Sequence, residues 1–186
     1  MLSSRTFLGI VLVVAAVNLA AFGVQRLFWV PVAIPSSSME PTVDAGDRIF
    51  VRRTHQSQQQ LARSVERGDV IVLRAPEEGH PLVVKRVVAL PGESIQAKDG
   101  IIAIDDQQVL DETYLANRIT DAGTAGADSV DINRTELTGT ELYVMGDNRA
   151  HSIDSRSYGP IQLADVVGTI SLRFWPPGRF GTVTGT

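Results

Sequence analysis

The sequence predicts a mainly β fold preceded by one N-terminal transmembrane helix. An uncharged apolar run lies near the N-terminus, at residues 7–24. Many short apolar runs follow it, separated by turn residues such as Gly, Pro, Asn and Asp. Few later stretches show the periodicity of a long helix. We therefore divide the chain into a tail and anchor at 1–26, a β-rich domain at 27–180 and a terminal tail at 181–186.

The apolar run at 7–24 is near the short end of the length that spans a bilayer as a helix, about 17–25 residues. Arg5 precedes the run and Arg26 follows it, and the positive charge of the short tail weakly favours a cytoplasmic N-terminus. A signal peptide cleaved near Ala20-Ala21 and a buried core helix are the alternatives. The terminal position and the charged flanks favour an uncleaved anchor over a core helix.

Short strands account for most of the β-rich domain. Pro31 interrupts the first strand, so we expect this strand at a sheet edge or near the membrane surface. The glutamine-rich stretch 55–67 predicts an exposed loop or a short helix. The polar residues of 117–140 predict a loop-rich excursion, which extends over about 104–140. The predicted strands are 27–34, 48–53, 69–73, 82–90, 100–104, 108–110, 141–145 and 166–174.

The composition excludes several classes of site. The formal net charge is −4, so no basic excess favours nucleic acid as a partner. Cysteine is absent, which removes thiol catalysis, disulfides and cysteine metal ligands. The three histidines lack the paired spacing of a metal site, so we expect no metal and no other cofactor. Of the 17 basic residues only Lys85 and Lys98 are lysines, so Arg is the usual cation of this chain.

The first candidate for chemistry is the serine cluster Ser36-Ser37-Ser38, which lies between Pro35 and Pro41. On its own, such a cluster is more typical of a surface turn. A serine hydroxyl becomes an effective nucleophile only when a neighbouring base takes its proton. The cluster therefore requires a partner from elsewhere in the chain.

The second candidate is Lys85 in the apolar strand 82–90. Alternate residues of a strand share a face, so Lys85 lies between Val83 and Val87, while Arg86 lies on the opposite face. Burial lowers the pKa of a lysine, and the neutral amine can then accept a proton from serine. Arginine stays protonated and cannot do this. Taken alone, the pattern more often indicates a lysine whose stem packs on the sheet while its ammonium reaches water or a carboxylate.

The third candidate is the polar loop 145–160, which follows a predicted strand and is dense in hydrogen-bonding groups. Taken alone, it suits a solvated loop with an Asp154–Arg156 surface pair, which would contribute about 0–1 kcal/mol. His151 in this loop is the one histidine that could serve a Ser-His-Asp site. No Gly-x-Ser-x-Gly elbow surrounds any serine, which disfavours that alternative.

Taken together, these segments resemble the type I signal peptidases, the Ser-Lys leader peptidases of bacterial membranes and their organelle relatives. The resemblance extends in order along nearly the whole chain and begins with the apolar anchor. Four segments resemble motifs of this family: IPSSSMEPTV (34–43), RGDVIVL (67–73), KRVVALPGE (85–93) and GDNRAHSIDSRSYG (146–159). One such segment would be weak, whereas four in order are very specific.

The resemblance implies roles for the matching residues. Ser38 matches the nucleophile and Lys85 the general base of a Ser-Lys dyad. Ser36 matches the serine whose hydroxyl forms the oxyanion hole together with the backbone amide of Ser38. Ser152 matches the serine that hydrogen-bonds the lysine and orients it. The other implied residues are the supporting Asp147, Asp154 and Arg156 and the substrate-pocket residues Ile34, Pro35 and Val83.

The resemblance also implies a function and a location. The chain would be a membrane-bound serine endopeptidase that removes N-terminal signal peptides from exported precursors after small residues, in an Ala-x-Ala pattern. It would cross the bacterial cytoplasmic membrane once, with its catalytic domain on the outer side. Its partners would be signal-peptide-bearing preproteins and the lipid bilayer.

Four alternatives remain open. A peptidase of the same family could be dedicated to one substrate, such as a pilin. The self-cleaving SOS-response repressors are similar around Ser and Lys, but they carry a DNA-binding helical domain where this chain has an apolar run. An inactive anchored scaffold would be expected to lack Ser38 or Lys85, and both are present. A secreted β domain would lose its leader near residue 22.

Overall fold

A computed structural model describes residues 9–18, 23, 28–76, 82–98, 101–106, 108–109 and 131–183. Helix α1 covers residues 9–18, within the predicted anchor, and its side chains are exposed. In the described part of the chain, no helix is long and apolar enough to cross a membrane. Most of the remaining anchor lies outside the described residues, so the transmembrane helix stays a prediction.

The described chain is mainly β, as predicted, and its strands form two antiparallel sheets. The strands are β1 (Trp29–Ala33), β2 (Arg48–Arg53), β3 (Val70–Leu73), β4 (Val83–Ala89), β5 (Ser94–Lys98), β6 (Ile101–Ile104), β7 (Gln108–Val109), β8 (Ile132–Glu136), β9 (Glu141–Met145), β10 (Ile161–Gln162), β11 (Val166–Trp175) and β12 (Gly181–Thr182). The larger sheet has the order β1-β2-β11-β3-β4-β9-β10, with β12 paired to β11. The smaller sheet has the order β7-β6-β5-β8.

Strands β3 and β4 lie in the middle of the larger sheet because their sequences are apolar on both faces. All four residues of β3 are buried, and so is β4 from Val84 to Ala89. A strand covered on both faces must be apolar throughout, which matches the near-continuous run of Val in this segment. The two charged residues of β4, Lys85 and Arg86, are consequently buried on opposite faces.

Strand β1 forms one edge of the larger sheet, which confirms the position predicted from its proline. Among the described strands it pairs only with β2, in a register that places Pro31 opposite Phe50. Proline lacks an N–H and is therefore tolerated where one side of the strand has no partner. Strand β2 alternates as predicted, with Ile49 and Val51 in the core.

The predicted hairpin around Asp105-Asp106 is confirmed, since β6 pairs with β7 across these two residues. Both have positive φ, 52° and 60°, a backbone conformation that Asp adopts more readily than most residues and that is common in tight hairpin turns. The loop predicted at 117–140 is wrong at its C-terminal end, because residues 132–136 form β8 and pair with β5. Only Ile132 of this strand is buried, so an edge strand with mostly polar residues carries too weak an apolar pattern to be recognised. Residues 110–130 lie outside the described residues.

The tail predicted at 181–186 is also corrected. Gly181 and Thr182 form β12 against β11, and Val183 is 8% exposed, within the same core as β2 and β3. The packing of this segment depends on one buried valine, and a single valine among Gly and Thr residues is too weak a sequence signal to predict a strand. Residues 184–186 lie outside the described residues.

In the described ranges, two short helices and three 3-10 turns connect the strands. The stretch 55–67, predicted as an exposed loop or a short helix, contains helix α2 (Gln58–Ser64). Ser57 and Gln60 form a capping box at the start of this helix. Helix α3 (Ser155–Tyr158) lies in the loop between β9 and β10. The 3-10 turns cover Arg149–His151, Leu163–Asp165 and Pro177–Arg179.

Candidate active site

Ser38 lies on the turn that follows β1, and the core beneath this turn holds it in place. Met39 and Val43, which follow Ser38, are completely buried against β2 and β3. The backbone N–H of Ile34 donates to the carbonyl of Asp47 at 2.9 Å and closes the loop at its base. Ser38 itself stays half-buried, so its hydroxyl is placed firmly without being sealed off.

Lys85 approaches Ser38 from strand β4. Its Nζ lies 3.0 Å from Ser38 Oγ, and only 3% of the residue is exposed. Burial lowers the pKa of Lys85 from its ordinary 10.5; the negative charges of Asp154 and Asp147 oppose this shift, and the Arg156 charge adds to it. The neutral amine, which can accept the serine proton, therefore forms at lower pH than in a free lysine.

Two hydrogen-bond donors lie beside the Ser38 hydroxyl. Ser36 Oγ is 3.3 Å from Ser38 Oγ. The backbone N–H of Ser38 donates to no acceptor in the described part of the chain. A hydroxyl and an open N–H beside a nucleophile are the groups that can bind a developing oxyanion.

Arg86, on the opposite face of β4, is fully paired. Its Nε and Nη2 donate to the two carboxylate oxygens of Asp147 at 2.7 and 2.6 Å. Its Nη1 donates to the carbonyl of Gly68 at 2.7 Å. Both side chains of the pair are buried, at 2% and 0% exposure. This bidentate contact ties β4 to the start of the loop that follows β9.

Asp154 is completely buried and fixes that loop from within. It accepts hydrogen bonds from Gly146 N at 2.9 Å and from Arg156 Nε and Nη2, both at 2.8 Å. Burial acts to raise the pKa of the Asp154 carboxyl, but the Arg156 and Gly146 hydrogen bonds hold it below its ordinary value. The loop also requires a glycine at Gly146, because a Cβ there would overlap the Ser152 side chain and the Ser38 carbonyl.

Ser152 reaches the site, but its hydroxyl does not make the hydrogen bond to Lys85 that the resemblance implied. Its Oγ is buried and has no hydrogen-bond partner among the residues the structure describes. The Ser152 side chain helps to lower the pKa of Asp154, but the contact between the two side chains does not have the geometry of an ordinary hydrogen bond. In this arrangement Lys85 donates to Ser38 instead.

A cleft of about 610 Å³ opens beside the Ser38 hydroxyl. The predicted pocket residues Ile34, Pro35 and Val83 all line it, together with Ser36, Ser38 and Lys85. The lining residues that sequence analysis missed include Ala75, Leu82, Ile153 and Tyr158. Ile153 offered one signal, an isolated apolar residue in a polar loop, and it is 63% exposed.

His151 lines the same cleft but is not the partner of the serine. The side-chain groups hydrogen-bonded to Ser38 Oγ in the described chain are Lys85 and Ser36. His151 Nδ1 instead lies 3.2 Å from the side-chain oxygen of Asn148. No group of three or more His, Asp or Glu side chains among the described residues is arranged to hold a metal ion. The geometry therefore supports a Ser-Lys site rather than a Ser-His-Asp site.

Residues 6–175 match the sequence model of one protein family, described as signal peptidase, peptidase S26. The chain belongs to this family. Signal peptidase I U of Bacillus subtilis is 33% identical over 172 residues, which are 91% of this chain and 89% of that protein. Thylakoidal processing peptidase 1 of Arabidopsis thaliana chloroplasts is 29% identical over 159 residues, which are 80% of this chain and 43% of that protein.

A solved structure agrees with these relatives. The crystal structure of a signal peptidase I from Enterococcus faecalis V583 matches with a TM-score of 0.51 and 27% sequence identity, over 58% of this chain and 97% of that chain. The signal-peptidase-like β fold and the predicted resemblance to type I signal peptidases are thus confirmed. Membership of the family makes this chain a hydrolase, a serine endopeptidase of the signal peptidase type.

Proposed function

We propose that this protein is a membrane-bound signal peptidase that removes N-terminal signal peptides from exported precursors with a Ser38–Lys85 dyad. The observation that carries the proposal is the 3.0 Å contact between Lys85 Nζ and Ser38 Oγ. The lysine is buried and burial lowers its pKa, so the contact joins a nucleophile to an amine whose neutral form is favoured over that of a free lysine.

The two residues account for a complete cleavage cycle. Neutral Lys85 takes the hydroxyl proton of Ser38 while Oγ attacks the scissile carbonyl carbon. The carbonyl oxygen becomes an oxyanion, which Ser38 N–H and Ser36 Oγ stabilise by donating hydrogen bonds. Lys85 then gives its proton to the leaving amine as the peptide C–N bond breaks. Lys85 next activates a water that attacks the acyl-enzyme ester, and the proton returns to Ser38 Oγ as the acid leaves.

The supporting residues have separate tasks in this proposal. Asp147 pairs with Arg86 and so neutralises the positive charge next to Lys85 on β4. Asp154 and Arg156 hold the Gly146 loop against the Ser38 carbonyl. In this proposal Ser152 accepts a hydrogen bond from Lys85 once Ser38 is acylated, which would give its buried hydroxyl the partner it lacks among the described residues.

The cleft supports cleavage after small residues in an Ala-x-Ala pattern. Its lining beside Ser38 is mostly apolar, with Ile34, Pro35 and Val83 next to the dyad. Short apolar side chains would bury their methyl groups there, while charged side chains would lose hydration without finding an ion-pair partner among these residues. Exported precursors carry their signal peptides to the outer side of the cytoplasmic membrane, where we place the catalytic domain.

The edge of the larger sheet supports contact with a bilayer. The rings of Trp29 and Phe50 pack edge to face, with their centroids 6.4 Å apart. The ring centroids of Phe50 and Phe174 are 4.4 Å apart. Trp175, at the end of the neighbouring strand, is 51% exposed. Strand β2 contains three exposed arginines, Arg48, Arg52 and Arg53, and none of strands β1, β2 and β11 contains an acidic residue. Exposed aromatic rings and the exposed arginines of β2 suit a membrane interface, next to the anchor that we place within 1–26.

The activity is tested with the full chain in detergent and a secretory precursor that carries an Ala-x-Ala site, with products mapped by mass spectrometry. We expect one cut after the second alanine, which Ser38→Ala and Lys85→Arg both abolish. The matched control is Lys98→Arg, the same substitution at the other lysine of the chain, which is exposed on β5 and should keep full activity. A cut that survives Lys85→Arg would refute the lysine base.

Membrane contact is tested with the intrinsic fluorescence of the full chain in vesicles. Trp29 and Trp175 are the two tryptophans of the sequence; Trp29 lies on the edge strand β1, and Trp175 lies at the end of β11, two strands away. Lipids brominated near the headgroup should therefore quench most of the tryptophan signal. Fluorescence that remains unquenched in vesicles which retain the protein would show that this sheet edge faces water.

A further inference from the structure

Asn148 makes an unusual set of contacts with the turn that carries the nucleophile. Its side-chain Nδ2 donates to the carbonyl of Ser37 at 3.1 Å. Its backbone N–H donates to the carbonyl of Ser38, also at 3.1 Å. One residue thereby binds two consecutive carbonyls, immediately before and at the nucleophile.

The first of these contacts acts on the peptide group that provides the oxyanion-hole donor. The carbonyl of Ser37 and the N–H of Ser38 belong to the same peptide group, which is planar and trans. In a trans peptide these two bonds point in opposite directions. Fixing the direction of the Ser37 carbonyl therefore fixes the direction of the Ser38 N–H.

The hydrogen bonds at this carbonyl are complete. Ser37 O also accepts from the backbone N–H of Glu40 at 3.1 Å, so both of its lone pairs are used. Electron density drawn toward a carbonyl oxygen makes the N–H at the other end of the peptide a stronger donor, because hydrogen bonds in a chain polarise one another. The Ser38 N–H, in contrast, has no acceptor among the described residues, so it is free to receive a substrate oxygen.

We infer that Asn148 is a positioning residue of the oxyanion hole, which orients and polarises the Ser38 N–H through the Ser37 carbonyl. The inference rests on the proposed Ser38 mechanism and adds a residue to it. Asn148 does not touch substrate or the reacting atoms. Its effect is confined to the steps in which negative charge forms on the carbonyl oxygen under attack.

The surroundings of Asn148 explain why an amide is suited to this position. The group that faces Ser37 O must be a donor, so the amide oxygen faces the other way, toward His151 Nδ1 at 3.2 Å. His151 N in turn donates to the Asn148 carbonyl at 3.0 Å, which closes a short 3-10 turn. Aspartate has the same shape but no donor, and would place a carboxylate oxygen against the Ser37 carbonyl.

A purely structural tether for the turn is the competing interpretation, and kinetics separates the two. A tether that fails would loosen the whole Ser36–Ser38 turn and weaken binding of the uncleaved substrate. Loss of oxyanion stabilisation alone would lower kcat and leave KM and substrate affinity unchanged.

The test compares Asn148→Ala and Asn148→Asp with the wild type, in the full chain with the Ala-x-Ala precursor, at a pH above the rising limb of the rate profile. Losing a direct oxyanion donor costs on the order of 10²–10³ in kcat. Because Asn148 acts through one donor, we expect kcat to fall by about 10- to 100-fold in Asn148→Ala and further in Asn148→Asp, with KM within about twofold. The matched controls are Asn133→Ala and Asn133→Asp, at an exposed position of β8.

A second measurement separates transition-state binding from ground-state binding. A peptide aldehyde, which forms an oxyanion on Ser38, should lose affinity by the same factor as kcat. The uncleaved precursor should bind Ser38→Ala and Ser38→Ala/Asn148→Ala equally well. Unchanged kcat in Asn148→Ala, or a loss of precursor affinity with aldehyde affinity retained, would overturn the inference. Failure of the wild type to cleave, or cleavage by Ser38→Ala, would instead overturn the proposed function.

Discussion

Strand β4 carries two adjacent cations that are equally buried and differently surrounded. Arg86, on one face, is held by both oxygens of Asp147 and by the Gly68 carbonyl. Lys85, on the other face, contacts a neutral hydroxyl across the edge of a cleft. A buried charge with full partners keeps its charge, whereas a buried amine without a direct carboxylate is pushed toward its neutral form. Pairing, rather than burial, therefore separates the structural cation from the reactive one.

The largest expected effect is that of Lys85→Met, which removes the base and keeps a side chain of similar length. We expect activity to fall by about 10⁴-fold or more, because removing one member of a catalytic unit costs about as much as removing all of it. The free energy of unfolding should stay the same or rise, since an apolar side chain replaces a desolvated amine. Precursor cleavage and urea unfolding followed by circular dichroism measure the two quantities.

The pH dependence of stability provides the control for Lys85→Met. Because the pKa of Lys85 is below 10.5 in the folded state, the unfolded chain binds more protons between the folded pKa and 10.5. The wild type should therefore gain stability as the pH rises through this window. The variant should lack that gain, and an equal gain in both proteins would contradict the lowered pKa.

Arg86→Met should have the second largest effect, and on stability rather than chemistry. It leaves the Asp147 carboxylate buried without its partner, which typically costs about 3–5 kcal/mol. Urea unfolding would measure the loss. The double variant Arg86→Met/Asp147→Leu should recover most of it, because replacing a buried pair by apolar residues is often neutral. A double variant as unstable as the single one would show that Arg86 acts through its contact with Gly68 instead.

Ser152→Ala should have a smaller effect, on both the free energy of unfolding and kcat. The Ser152 hydroxyl lacks a hydrogen-bond partner among the described residues, so its removal should change the free energy of unfolding by less than about 1 kcal/mol. If it holds Lys85 after acylation, kcat should fall by about tenfold, the worth of one hydrogen bond. Single-turnover kinetics would place the loss in the deacylation step, and an equal loss in acylation would argue against this timing.

The smallest effects concern the position of the rising limb in the pH–rate profile. Asp154 raises the pKa of Lys85 and Arg156 lowers it, so the two substitutions should move the limb in opposite directions. Arg156→Gln should move it to higher pH, and Asp154→Asn to lower pH. Measuring kcat/KM against pH for both variants checks the sign. Shifts in the same direction would mean that loop rearrangement, rather than charge, dominates.

The sequence predicted the parts of the fold that have strong local patterns. The β-branched run of β4, the proline at the edge strand β1 and the Asp105-Asp106 turn each carry their own signal, and all three were confirmed. Strand β8 and Val183 were missed because each is specified by a few buried atoms within a polar segment. Local composition cannot report a contact with a distant strand.

The features of the candidate site also divide into those that local sequence determines and those that tertiary contacts determine. The sequence by itself determined the chemical types, a serine turn, a lysine where arginine is usual and a polar loop, and their order identified the family. Only the tertiary structure decided their relations: that Lys85 meets Ser38, that Arg86 belongs to Asp147, and that Asn148 holds the turn. The physical reason is that hydrogen bonds act over about 3 Å, and folding brings these groups to that distance across 47, 61 and 111 residues of chain.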